Sequence, residues 1–351
     1  MAHRTTADAV IDHIEFYVTD AAARAADFVS RYNFQIVASA GLPTGGEAYS
    51  LALQRREIVL VLTQGLTDDH PASGYVVEHG DVVATIALRV PDAAAAQERA
   101  IKAGAQLTER GIVVFGDVIH TFVEREDGEP WLLPGFARWP GMRETAGTAG
   151  LTVVDHIAVC LESGELNPTV ELYQKAMGWD QIFEEDIHVG AQAMQSKVVQ
   201  SPNGQVTLTL LQPMQGAQPG QIDDFLKNHG GSGVQHLAFA VPDIVHAVDD
   251  LIRRGVRFLE TPDAYYGELT QRLTHPAHSM EDLRQRSILA DQDHDGQLFQ
   301  IFTRSEHPRR TFFIELIERQ GARTFGSNNI RKLYEAVERQ LSADQRKEPN
   351  E

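Results

Sequence analysis

Two histidines and a glutamate in the second half of the chain face an internal echo of the sequence that keeps one histidine and carries hydroxyls in the other two places. The stretch VQHLAFAVPD (residues 234–243) repeats ATIALRVPD (84–92), and superposing the two VPD triplets places His236 on Thr85. Aligning IER (317–319) with VER (123–125) sets Glu315 of TFFIELIER against Thr121. A third echo pairs VVDHIAVCLES (153–163) with VIDHIEFYVTD (10–20), and here both copies keep a histidine, His156 and His13. Positions that only build a strand should keep similar chemistry in both copies, so the exchange at His236 and Glu315 points away from a purely structural role. Two imidazoles and one carboxylate on facing strands are the donor set of a facial triad on iron(II), which leaves three coordination positions open. Sequence separations of 80 and 79 residues make this a tertiary site. The competing reading stays open on residues alone: a chain with 14 histidines holds many that are hydrogen-bonded core residues, and Glu315 fits a solvated sheet edge. His13, whose would-be partners are threonines, reads as structural.

The elements that must position these groups come from the same echoes. Each half opens on an alternating apolar strand followed by a helical pattern, DAAARAADFVSRYNF in the first half and NPTVELYQKAMGW in the second. Each VPD triplet offers its Asp as an N-cap, and the helices that follow close on Gly104 and Gly255. Behind them come β-rich segments such as EIVLVLTQ, DVIHTFVER, QVTLTLLQ and GQLFQIFTR. The pattern predicts an α+β chain of four βαβββ modules, two to a domain, forming a curved open barrel in each. Domains at 1–147 and 151–351 meet in the Gly/Thr-rich TAGTAG. SNNIRKLYEAVERQL predicts a C-terminal helix from about Asn329 to Leu341.

Composition narrows the classes. The chain has 351 residues, enough for two full cores, and a formal charge of −18, which works against phosphate backbones and anionic membranes. No apolar run is long enough to cross a bilayer. The single Cys160 excludes an internal disulfide framework, and the start MAHRTTADAV lacks the apolar core of a signal peptide, so a cytoplasmic protein is expected. The oligomeric state is left open, a homo-oligomer included.

The hairpin AMQSKVVQ-SPNG-QVTLTLLQ predicts further cavity groups. Pairing Ser201 with Gly204 sets Ser196 directly opposite Thr209, two hydroxyls on one face that either satisfy each other or meet a polar ligand.

With these motifs in hand, the chain resembles the family of 4-hydroxyphenylpyruvate dioxygenase and 4-hydroxymandelate synthase, two-domain members of the vicinal oxygen chelate superfamily. The likeness spans nearly the whole chain and is strongest from DHIAVC through HVGAQAMQSKVVQSPNG, FLKNHGGSGVQHLAF, GQLFQIFT and FFIELIERQG to TFGSNNI. The resemblance implies His156, His236 and Glu315 as ligands of Fe(II), with 4-hydroxyphenylpyruvate and O2 as substrates. It implies Ser196, Gln221 and Gln300 as polar cavity groups, with Thr209 added by the hairpin pairing alone, Phe302 and Phe313 as a sandwich for the substrate ring, and Asn329, Ile330 and Tyr334 as lid residues. Ser196, Gln300 and Ile330 are those expected to steer the reaction. Gln235 matches a family glutamine too, but its place before a ligand in a strand predicts a side chain pointing away from the metal.

Both family reactions begin with oxidative decarboxylation of the 2-oxo acid, then diverge to homogentisate or to 4-hydroxymandelate. The dioxygenases usually show PxNEP after the hairpin and GNF in the lid. This chain has TLLQP (209–213) and NNI, putting Ile330 at the phenylalanine position, and both departures match the mandelate synthases. Losing a ring beside the substrate would let its benzylic carbon face the oxidant. A neutral core exchange is the plainer account of Ile330. Two rivals from other classes are an extradiol ring-cleaving enzyme and a metal-free binding protein of the same fold. The first is distinguished by its catechol substrate, the second by having no need of His236 and Glu315.

Overall fold

The computed structural model describes residues 6, 8–125, 132–140, 150–324, 326, 329 and 331. The first half runs β1 (Val10–Tyr17), α1 (Ala21–Tyr32), β2 (Gln35–Leu42), β3 (Gly45–Arg55), β4 (Ile58–Gly65), α2 (Pro71–His79) and β5 (Val82–Arg89). It continues with α3 (Ala93–Lys102), β6 (Gln106–Thr108), β7 (Gly111–Phe115), β8 (Val118–Val123) and the short β9 (Ala137–Arg138). The second half repeats the plan: β10 (Val154–Cys160), α4 (Leu166–Leu172) prolonged by a π-helical turn (Tyr173–Met177), β11 (Asp180–Val189), β12 (Gln192–Gln200), β13 (Thr207–Pro213) and α5 (Gln221–His229). Its second module holds β14 (Gly233–Ala240), α6 (Ile244–Arg253), α7 (Asp263–Arg272), α8 (Met280–Gln285), β15 (Leu289–Gln292), β16 (Gln297–Phe302) and β17 (Phe313–Gln320). The four βαβββ modules predicted from the echoes are therefore present. α2, α5, α7 and α8, which the echoes do not signal, are additions to that plan.

Each half builds its own curled sheet, in the order β6-β7-β8-β5-β1-β4-β3-β2-β9 and β11-β12-β13-β10-β14-β17-β16-β15. The opening strands of the two modules pair antiparallel at the centre, β1 with β5 and β10 with β14. Local chemistry explains the helices between strands. Asp92 and Asp243 of the VPD triplets accept from the backbone N–H of Ala95 and His246, and so cap α3 and α6. Gly104 and Gly255 follow those helices at φ of +102° and +88°, a conformation that glycine adopts without a Cβ penalty.

Strand alternation sorts the second sheet into two faces. Ile157, Val159, Leu208, Leu210, Leu237 and Phe239 point into an apolar core that runs without a break into the first half. Ring contacts cross between halves in this core, Phe16 meeting Phe312 edge-on at 5.3 Å and Phe34 meeting Phe239 at 6.3 Å. The Tyr173 hydroxyl reaches His120 Nε2 at 2.9 Å across the same seam. The other face lines the hollow of the half-barrel and carries the chemistry. Among the described residues no helix is long and apolar enough to cross a membrane.

Candidate metal centre

Two bulges set the histidines in place. In β10 the pairing with β14 skips from Val154–Phe239 to His156–Ala238, so Asp155 is an extra residue. In β14 the pairing skips between Ala158–His236 and Val159–Val234, which makes Gln235 the extra one. A bulge turns its extra side chain toward that of the next residue, and both are used. Asp155 Oδ1 lies 2.9 Å from His156 Nδ1, and Gln235 Oε1 lies 3.3 Å from His236 Nδ1. Gln235 therefore touches His236 through Nδ1, the ring nitrogen that does not face Glu315, and the bulge that allows this shifts the side-chain parity by one.

With Nδ1 engaged, each ring presents Nε2 to the hollow. His156 Nε2 is 3.3 Å and His236 Nε2 is 3.2 Å from the same Glu315 oxygen, Oε2. β17 runs beside β14 with Glu315 next to Ala238, so the carboxylate rises between the two rings. His156, His236 and Glu315 are 4%, 6% and 1% exposed. Burial opposes charge on all three, yet His156 and His236 hold the Glu315 carboxyl well below its usual range. Glu315 and Asp155 in turn raise His156 against its burial, while burial keeps His236 low. A buried carboxylate facing two imidazole nitrogens at one point is the donor set for a divalent cation. The residues fit such an ion.

Other predicted groups lie on the same face. Gln300 donates through Nε2 to Glu315 Oε1 at 2.9 Å, and Asn329 donates through Nδ2 to Gln300 Oε1 at 2.8 Å. The Phe313 ring stacks on His236 at 4.7 Å, while Phe302 meets Phe313 at 6.2 Å and 82°. The two phenylalanines thus stand edge to face, not parallel. Gln221 is the first residue of α5 and is buried. The hairpin register differs from the one expected: Ser196 faces Leu211, and Thr209 faces Val198. Ser201 N donates to Val206 O, and the Ser201 and Asn203 side chains tie residues 202–205 into a longer loop, moving the register by two. A shift of two preserves the face, so Ser196 and Thr209 remain diagonal neighbours in the hollow. Both hydroxyls are buried without a hydrogen-bond partner among the described residues. Ile330 and Tyr334, like most of the expected lid helix, lie outside the described residues.

Comparison with known proteins agrees with this geometry. The profile of the Glyoxalase/Bleomycin resistance protein/Dioxygenase superfamily matches residues 153–301. A 4-hydroxyphenylpyruvate dioxygenase of Dictyostelium discoideum is 32% identical over 94% of this chain and 97% of its own. One of Danio rerio is 31% identical over 94% and 90%. A solved structure of a triply substituted 4-hydroxymandelate synthase from Streptomyces coelicolor superposes with a TM-score of 0.86 at 42% identity, covering 95% of this chain and 99% of that one. The chain belongs to the 4-hydroxyphenylpyruvate dioxygenase and 4-hydroxymandelate synthase family. Among these relatives identity is higher to the mandelate synthase, 42% against 32%.

Sequence reasoning missed the supports of this family member's site. Arg319 donates to both oxygens of Asp155, at 2.8 and 2.9 Å, and so aims that carboxylate at His156. The repeat carried the signal: DH and ER recur in both halves, and Arg125 donates in the same way to Asp12 beside His13. Tyr265 in α7, whose hydroxyl sits 3.0 Å from Asn329 Oδ1, has no counterpart in the repeat and no such signal.

Proposed function

We propose that this protein is a 4-hydroxymandelate synthase, converting 4-hydroxyphenylpyruvate and O2 to 4-hydroxymandelate and CO2 with iron(II) held by His156, His236 and Glu315. The observation that carries the reading is the convergence of the three donors beside two unpartnered buried hydroxyls, Ser196 and Thr209. Bound iron supplies chelation of the 2-oxo acid and activation of O2. The chain's own groups do the rest. Ser196 and Thr209 orient a polar group of the substrate, and Phe302 and Phe313 supply aromatic edge and face for its ring. Gln300 keeps one Glu315 oxygen occupied. Glutamine amides such as Gln221 and Gln300 hydrogen-bond without competing for the metal.

Two features favour benzylic hydroxylation over homogentisate formation. Leu211 faces Ser196 on the hollow side, where the dioxygenases carry an asparagine, and Ile330 stands in place of their phenylalanine. Both enlarge or strip polarity from the space beside the substrate ring, freeing it to turn its side chain toward the metal. The test is to mix iron(II)-loaded protein with 4-hydroxyphenylpyruvate without air, record a charge-transfer band, admit air and separate the products. One equivalent each of 4-hydroxymandelate and CO2 is expected; homogentisate as main product assigns the protein to the dioxygenase branch. Ile330→Phe is expected to move part of the product toward homogentisate, and an unchanged ratio removes that position from the choice.

A further inference from the structure

Gln300 and Glu315 end a chain of hydrogen bonds that begins outside the sheet. A carboxylate only accepts, so Gln300 must turn Nε2 toward Glu315 Oε1 and leave its own Oε1 toward Asn329. Asn329 must then turn Nδ2 toward Gln300 and leave Oδ1 toward the Tyr265 hydroxyl. That hydroxyl accepts from Ala290 N at 2.8 Å and shares its one proton between Ala290 O at 2.8 Å and Asn329 Oδ1 at 3.0 Å. Tyr265, Gln300 and Asn329 are all buried, so water does not stand in for a missing member. Gly326 keeps the middle of the chain clear. A Cβ there would sit 2.8 Å from Gln300 Oε1 and 3.1 Å from Asn329 Nδ2, and its φ of +68° suits glycine.

We propose that Tyr265 and Asn329 are positioning residues which, acting through Gln300, hold Glu315 Oε1 out of the metal's reach so that Oε2 alone ligates. The consequence is an open coordination position kept for substrate, set from helix α7 and from Asn329. This rests on reading His156, His236 and Glu315 as the metal site.

The test measures anaerobic iron(II) affinity by equilibrium dialysis and the visible spectrum of the cobalt(II)-substituted full chain. Asn329→Asp offers no N–H to Gln300, and is expected to weaken iron(II) binding about tenfold and to shift the cobalt bands. Tyr265→Phe is expected to weaken binding several-fold. In a Gln300→Ala background neither substitution should change affinity further, because the route is already cut. Unchanged affinity and spectrum in both single variants, or equal losses with and without Gln300, would overturn the proposal. Should Asn329→Asp fail to fold, Tyr265→Phe and Gly326→Ala carry the same comparison. Wild-type chain that takes up neither metal overturns the metal site itself and this proposal with it.

Discussion

The two half-barrels share a scaffold and differ in what fills it. Both have the bulge before the first histidine, and in both an arginine clamps the bulged aspartate: Arg319, Asp155 and His156 in the second half, Arg125, Asp12 and His13 in the first. The second bulge is shared as well, since Ala84 precedes Thr85 as Gln235 precedes His236. Register confirms the sequence echoes, with Thr121 beside Ala87 where Glu315 stands beside Ala238. The contents diverge. In the first half Glu15 occupies the position of Ala158, accepting from Thr63 at 2.7 Å and Thr85 at 3.0 Å, while Ser50 pairs with Thr63 at 2.8 Å. Ser50 is the register counterpart of Ser196. One hollow thus ties its hydroxyls to a carboxylate of its own, and the other brings a carboxylate and two ring nitrogens to one point and leaves two hydroxyls without a partner among the described residues.

The comparison breaks most severely by copying the first half into the second. His236→Thr or Glu315→Thr is expected to abolish iron binding and oxygen uptake, measured by metal analysis and an oxygen electrode; full activity in either would remove that residue from the donor set. Cutting the shared scaffold sharpens it. Arg125→Met and Arg319→Met each leave an aspartate with its neighbouring histidine but without its guanidinium, and should cost up to about 3–5 kcal/mol in denaturant unfolding. Only Arg319→Met should also weaken iron binding, about 10–100-fold.

Acid unfolding gives the next effect. Burial raises the Asp12 carboxyl, but His13 and Arg125 bring it down to about 2 from 3.8. A depressed acid contributes stability above its unfolded value and loses it as pH falls through its folded one, so the loss falls between pH 4 and 2. The shift corresponds to about 2 kcal/mol at neutral pH. Asp12→Asn should lower neutral stability by at most that amount and flatten this limb of the pH curve; an unaltered curve would show Asp12 to be uncoupled from folding. The smallest contrast sets Ser50→Ala against Ser196→Ala. The first should cost about 1 kcal/mol of stability by removing one of the two hydrogen bonds of the Thr63 hydroxyl. The second should leave stability unchanged and raise the Michaelis constant for the keto acid.

Much of this arrangement was legible because the chain repeats itself. The repeat acts as its own control, exposing His236 and Glu315 as exchanges on a constant strand, and the VPD triplets gave the caps of α3 and α6. What alternation alone cannot carry is a change of parity. A bulge at Gln235 adds one residue and brings its amide to Nδ1 of His236, a contact that strict alternation does not provide. The SPNG loop hides a different quantity. Its side-chain hydrogen bonds, not its turn-forming composition, decide how many residues it spans and so which residue faces Ser196. Tyr265 was illegible for a third reason: it reaches the site from an inserted helix through two amides whose proximity no spacing encodes.

The unbroken core beneath both sheets has an evolutionary consequence. With Phe16 seated on Phe312 and Tyr173 bonded to His120, excising the first copy would strip the second of a wall and expose its greasy underside to solvent. Selection on the second half therefore preserves the first as polypeptide, whatever polar groups its hollow carries.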